Sequence, residues 1–209
     1  MSDGVRERVL QEALPLIPQS GFNDATLKAA AEKAGVGPAE WKAAFPNGAA
    51  SLAEAFSHWA DAEMEEKMRS NQAERMRDRV AAAVRARIEV LVPHKEATRR
   101  AAAFLALPQH APLAATLMMR SVDKMWRTAG DRSSDFSYYT KRGLLSGVYG
   151  ATFVYWLSDS SEGHAETWKF LANRIDNVME IEKFRGAARD ALAKLPDPLG
   201  IFGAFKGRR

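Results

Sequence analysis

Between Met76 and Pro93 the apolar positions Val80, Val84, Ile88 and Leu91 recur three or four residues apart, which is the spacing of one buried stripe on a helix. The same period runs through almost every segment of the chain, and no stretch alternates apolar and polar residues as a half-buried strand would. An all-α protein of about ten helices is predicted. Ser2 caps a first helix that runs through Ile17 to a turn at Pro18 to Gly21, and Asn23 and Asp24 precede a second that ends at Gly35. Pro38 opens a short third helix that Pro46, Asn47 and Gly48 close, and a long fourth runs from Ser51 to about Ser70. Beyond the helix that meets Pro93, further helices are expected over 95–107, 112–128, 135–157 and 161–181, with Pro108 and Gly130 as punctuation. Arg75, Arg77, Arg79, Arg85 and Arg87 read as a solvated outer face.

With 209 residues and 46% apolar content, the chain has enough material for one sizeable core, which argues against a disordered protein. A net charge of +4 suits a polyanion or an anionic membrane without demanding either. The absence of cysteine excludes disulfides, thiolate catalysis and Cys-ligated metal or iron–sulfur sites. The first fifteen residues carry Asp3, Glu7 and Glu12 and resemble neither a signal peptide nor an acid-poor transit peptide, so a start in a bacterial cytosol, or prior trimming, is expected. No stretch reaches 18 uncharged apolar residues, and no bilayer span is predicted. His58, His94, His110 and His164 are scattered without a His-x-x-x-His or Glu-x-x-His pair, and no phosphate-cradling glycine loop or nucleophile elbow is visible. No metal, cofactor or catalytic residue is therefore expected.

Thr26-Leu27, Ala31, Ala34-Gly35-Val36, Phe45, Leu52 and Phe56 resemble the N-terminal helix-turn-helix module of TetR-type regulators. The positions that would read DNA depart from that pattern. Gly37 stands for the usual Ser cap, Lys42 for a phosphate-contacting Tyr and Gly48 for a Lys, and one residue is inserted before Leu52. Between Val36 and Phe45 the only charges are Glu40 and Lys42, so the segment lacks the basic and amide side chains that base edges and phosphates require. Residues 1–70 are expected to be a degenerate module that keeps the fold without binding nucleic acid. A ligand-responsive DNA-binding regulator of the TetR type is the alternative.

From Leu107 onward the chain carries Leu107-Pro108, Pro112, Met125-Trp126, Ala129-Gly130-Asp131, Ser133, Asp135-Phe136, Tyr139-Thr140 and Arg142, and later Asp159, Ser161, Thr167-Trp168 and Phe170-Leu171. At these fixed spacings it resembles the ubiquinone-biosynthesis lipid-binding proteins, the ninth of the Coq set, with Tyr138 in place of a Trp and Gln109-His110 in place of a His-Asn pair. The resemblance implies a TetR-like fold and a non-enzymatic accessory protein that binds polyprenylated quinone precursors. It implies presentation of that isoprenoid cargo to a di-iron demethoxyubiquinone hydroxylase at a membrane, so a location in the cytoplasm, peripheral to a bacterial inner membrane, is expected.

Within residues 71–183, Asp123, Met125, Trp126, Asp131, Asp135, Tyr138, Tyr139 and Arg142 combine aromatic area with charge, as a partner-binding surface does. Core packing of Met125 and Trp126 and helix capping by Asp131 and Asp135 is the plainer reading. Gly143, Gly147 and Gly150 each cost a helix interior about 1 kcal/mol, which points either to close helix approach or to room for a ligand. The resemblance makes Leu105, Leu117, Leu145, Tyr149, Phe153, Trp156, Trp168 and Leu171 the expected walls of a lipid site. Glu162, His164 and Glu166 read as local stabilisers of a helix start. Residues 184–209 place Phe184, Leu192, Leu195, Leu199, Ile201, Phe202 and Phe205 among six basic and two acidic side chains, a local +4. They are expected to form a C-terminal amphipathic helix that attaches to a membrane surface, while docking on the core or on a second subunit is the plainer alternative. A homodimer through the last long helices is expected.

Overall fold

A computed structural model describes residues 2–70, 73–132 and 136–177, with the side chains of Ser2, Phe136 and Ser137 left out. The described residues are all helical or loop. They form α1 (Ser2–Ala13), α2 (Ile17–Ser20), α3 (Asp24–Lys33), α4 (Pro38–Ala44), α5 (Ala49–Met68), α6 (Met76–Leu91), α7 (Lys95–Leu105), α8 (Ala111–Thr128) and α9 (Phe136–Ser158). A further helical run, α10, covers 165–177.

Most breakers act where the sequence puts them, but the start of the chain is corrected: Pro18, expected in a turn, lies in the first turn of a short helix. The first helix does not reach Ile17: it ends at Ala13, and a separate single turn starts at Ile17. Pro15 has no N–H to donate and disfavours helical backbone at Leu14, so the helix stops two residues before it. Asn23 caps α3 by accepting from the Thr26 amide at 2.9 Å. The α3 C-terminus closes on Gly35 at φ +66, with Val36 N–H donating to the Ala31 carbonyl and Gly35 N–H to that of Glu32. This paired closure needs a left-handed residue, which glycine supplies without strain.

Helix α1 packs on α3 and α4, and α5 bridges that N-terminal unit to α6 and α8. The exposed positions of α4 are Pro38, Ala39, Glu40, Lys42 and Ala43, a neutral alanine-rich face. At the far end Lys95 Nζ donates to the Asp159 carbonyl at 2.6 Å, which ties the start of α7 to the end of α9. The core runs without interruption from Val9, Ile17 and Leu27 through Leu52, Met64 and Ile88 to Met125 and Trp156. Among the described residues no single helix is long and apolar enough to cross a bilayer.

The arginine face of α6 is also corrected. Arg75, Arg77 and Arg85 are exposed and Arg79 is half-buried, but Arg87 is only 5% exposed. It lies three residues after Val84 and four before Leu91, and so belongs to the apolar stripe.

Candidate functional site

Helices α5 to α9 enclose a cavity of about 290 Å³. The space exists because many side chains that face it stop at Cβ: Ala53 and Ala60 on α5, Ala101 and Ala102 on α7, Ala106 just beyond it, and Ala114 on α8. Larger apolar groups complete the wall, among them Phe56, Leu91, Leu105, Leu117, Met118 and Phe153. Exposure grades along this wall. Ala102, Leu105, Ala114, Met118 and Phe153 are half-buried and Ala106 is exposed, which marks a mouth between the end of α7, the first half of α8 and α9. Opposite lies a buried floor formed by Ala60, Arg87, Thr98, Ser121 and Tyr149.

The floor is polar at one point. Arg87 donates from Nε to Asp61 Oδ1 at 2.7 Å, from Nη2 to Ser57 Oγ at 3.1 Å, and from Nη1 to the Tyr149 hydroxyl. Asp61 is fully buried, so the pair neutralises itself inside the bundle. Burial pushes the Tyr149 hydroxyl up from its ordinary range, which keeps it protonated.

Four of the expected wall residues, Leu105, Leu117, Tyr149 and Phe153, face this cavity. Leu145, Trp156, Trp168 and Leu171 do not line it. Leu145 and Trp156 are buried on the same face of α9 but one turn before Tyr149 and almost one turn after Phe153, beyond the cavity's ends. Lys95 Nζ lies 5.3 Å from the Trp156 ring centre. Trp168 is half-buried under the Arg85 guanidinium at 4.8 Å and donates Nε1–H to the Gly163 carbonyl at 2.8 Å, while Leu171 sits in the core. Gly143 and Gly147 are exposed, and a Cβ on either would meet no atom within 4 Å. They mark neither a tight helix crossing nor the cavity, whereas Gly150 faces Met118 Cε at 3.7 Å. Sequence reasoning missed Arg87, Ser57, Thr98 and Ser121; the signal for Arg87 was its register within the apolar stripe.

The aromatic and charged patch is partly interior. Met125 is fully buried, Arg142 is 1% exposed and the Asp131 side chain 4%. Arg142 donates from Nε to Asp123 Oδ1 at 2.7 Å and from Nη1 to Asp131 Oδ2 at 3.2 Å, and its guanidinium lies 3.4 Å from the Tyr138 ring centre. Tyr138 donates its hydroxyl to Asp123 Oδ1 at 3.0 Å, and Lys141 pairs with Asp131 at 2.8 Å. Burial raises the Asp123 carboxyl, but hydrogen bonds from Arg142, Arg127 and Tyr138 outweigh it and hold the group below the usual carboxylate range. The end of α8 is built for this network: Gly130 at φ +94 lets Asp131 N–H return to the Trp126 carbonyl and turns the Asp131 side chain inward, while Arg79 Nε donates to the Ala129 carbonyl at 2.6 Å. The outer surface left over this frame is Tyr139, 71% exposed, with half-buried Tyr138 and Trp126 beside it. Asp135 lies outside the described residues, as do the tail positions Phe184, Leu192, Leu195, Leu199, Ile201, Phe202 and Phe205.

The Asp159, Ser161 and Thr167 motif is a helix cap. Asp159 Oδ2 accepts from the Thr167 amide at 3.0 Å, Asp159 Oδ1 from the Ser161 amide at 2.8 Å, and Ser161 Oγ from the Glu166 amide at 3.2 Å. These bonds satisfy the free donors at the start of α10, after a tight turn in which Gly163 and His164 both have left-handed backbone.

Residues 111–182 match the COQ9 family model. The chain is 34% identical to the mitochondrial ubiquinone biosynthesis protein COQ9 of Drosophila melanogaster over 186 residues, 86% of this chain and 57% of that protein. It is 33% identical to the COQ9 protein of Rattus norvegicus over 190 residues, 85% of this chain and 59% of that one. The chain thus spans 57–59% of the length of these curated relatives. A solved TetR transcriptional regulator from Nitrosomonas europaea superposes with a TM-score of 0.63, covering 83% of this chain and 97% of the regulator at 19% identity, which shows the fold alone. The expectation of a bacterial cytoplasm and inner membrane is overturned, because these relatives are mitochondrial proteins by name and the acidic N-terminus carried no information on compartment. The chain carries a COQ9-family domain, residues 111–182, within a TetR-like fold, and is a relative of the COQ9 proteins of ubiquinone biosynthesis.

Proposed function

We propose that this protein is a non-enzymatic accessory factor of ubiquinone biosynthesis that holds a polyprenylated quinone precursor in the α5–α9 cavity and presents it to a di-iron hydroxylase at a membrane surface. The observation that carries this reading is an alanine-lined, predominantly apolar space of about 290 Å³ with a graded mouth, in a chain whose relatives are named ubiquinone biosynthesis proteins. Cavities of this order, apolar with a few convergent polar groups, are what small-molecule sites are built from. The surface around Tyr139, Tyr138 and Trp126, stiffened from beneath by Arg142, Asp123 and Asp131, is the docking face for the hydroxylase. The basic, apolar tail of residues 184–209 holds the protein to anionic lipid, and two copies associate through their last long helices. The exposed face of α4 carries a single lysine balanced by one glutamate and no Arg, Asn or Gln, which favours this reading over a TetR-type regulator. Mass spectrometry of organic extracts from the purified protein tests the reading: an isoprenoid quinone or precursor is expected, and steep salt-dependent binding to duplex DNA without any such lipid would support the regulator instead.

A further inference from the structure

We infer that the cavity takes its ligand in one orientation, with an oxygen-bearing ring seated at the Arg87–Tyr149 floor and the hydrocarbon tail leaving through the mouth. The inference rests on the lipid-binding reading and adds a polar anchor and a direction to it.

Three observations support the orientation. The first is the hydrogen-bond inventory of the floor. A guanidinium has five N–H donors, and those of Arg87 go to Asp61, to Tyr149 and to the hydroxyl and carbonyl of Ser57. One Nη1 N–H is left over, and the Tyr149 hydroxyl, which accepts from Arg87, retains its own proton to donate. Both residues are buried and line the cavity, so two neighbouring groups of its floor each keep a donor without a partner among the described residues, which is costly there and which a ligand oxygen within reach would relieve. Because Asp61 already neutralises Arg87, a neutral acceptor such as a quinone carbonyl or a ring ether oxygen suits the floor better than an anion.

The second is volume. An apolar cavity of about 150 Å³ takes benzene. The present 290 Å³ holds a substituted six-membered ring and the first part of its tail, and a long polyprenyl chain has to extend outside.

The third is the character of the mouth. Three residues that directly follow mouth residues in the chain, Leu107, Met119 and Val154, are large apolar side chains exposed to 44%, 44% and 66%. They give an emerging hydrocarbon chain a surface to lie on, whereas the opposite orientation would leave the floor donors facing hydrocarbon and the ring in water.

The test compares two probes of equal tail length, a decyl-substituted benzoquinone and decylbenzene, on the full chain by equilibrium dialysis. Tyr149→Phe removes the hydroxyl and keeps the ring. It should weaken the quinone about fivefold, the scale of one neutral hydrogen bond, and leave decylbenzene unchanged. Arg87→Lys, which keeps the charge opposite Asp61 and loses the fork, should do the same, with circular dichroism reporting the fold of each variant. Equal affinity of the wild-type protein for both probes, or equal losses for both in a folded variant, overturns the orientation while leaving lipid binding intact. Failure of the wild-type protein to bind either probe overturns the lipid-binding reading, and the orientation with it.

Discussion

Arg142 on α9 donates from Nε to Asp123 Oδ1 on α8 at 2.7 Å while its own side chain is 1% exposed. The bond holds the two helices together where the chain passes between them, and it works with the second pair to Asp131. Arg142→Ala removes one partner from each carboxylate, leaving Asp131 with Lys141 and Asp123 with Arg127 and Tyr138, empties a buried site, and should destabilise the protein by roughly 1–3 kcal/mol. Thermal denaturation checks this. A shift in melting temperature no larger than that of a surface variant outside the network, such as Lys28→Ala, would show that the network is not structural.

Gly48 caps α5 at φ +55, and a Cβ there would fall 2.2 Å from Asp24 Oδ1, which accepts the Ala49 amide at 2.9 Å. Gly48→Ala therefore combines left-handed strain with the loss of a cap. A cost of roughly 1–3 kcal/mol is expected in urea unfolding, and an unchanged midpoint would refute the geometric account of this position.

Asp159 is held below its ordinary carboxylate range by hydrogen bonds from Thr167 and Ser161. A carboxyl whose folded value is depressed contributes stability that is complete above its unfolded value, near 4, and that is lost as pH falls toward the folded value. Asp159→Ala should cost about 1 kcal/mol at pH 7. The gap between the wild-type protein and the variant should stay level down to pH 5 and narrow below pH 4. A gap that widens in acid would reverse the assignment.

Deleting residues 184–209 should abolish sedimentation with anionic vesicles while leaving the helical circular dichroism of the remainder in place. The expected attachment combines apolar burial with a local charge of +4, so raising the salt concentration should weaken binding by the full chain. Unchanged sedimentation of the truncated chain would remove the tail as the anchor.

The helices were legible because Pro and Gly punctuate them: Pro38, Pro46 and Gly130 act where the sequence puts them, whereas Pro15 was read past and Pro18, expected in a turn, lies in the first turn of α2. The motifs Ala129-Gly130-Asp131 and Asp159-x-Ser161 were visible as a resemblance, but their physical content, a left-handed helix end and a helix cap, required the backbone. Arg87 was hidden by its neighbours. In a helix with three other arginines and a fourth at its N-cap, composition suggests a solvated face, and only the three-residue offset from Val84 reveals a buried cation. The cavity was not legible either, because alanines at 53, 60, 101, 102, 106 and 114 come from different helices and their joint consequence is a matter of packing.

The central claim is that the α5–α9 cavity houses an isoprenoid lipid. Ala102→Trp places an indole at the half-buried mouth and should leave the fold intact. Mass spectrometry of lipids extracted from the wild-type and variant proteins, purified side by side, tests the claim most directly. The account predicts an isoprenoid quinone or precursor bound to the wild-type protein and largely absent from the variant; the same lipid in equal amount on both, or none on the wild-type protein, would contradict it.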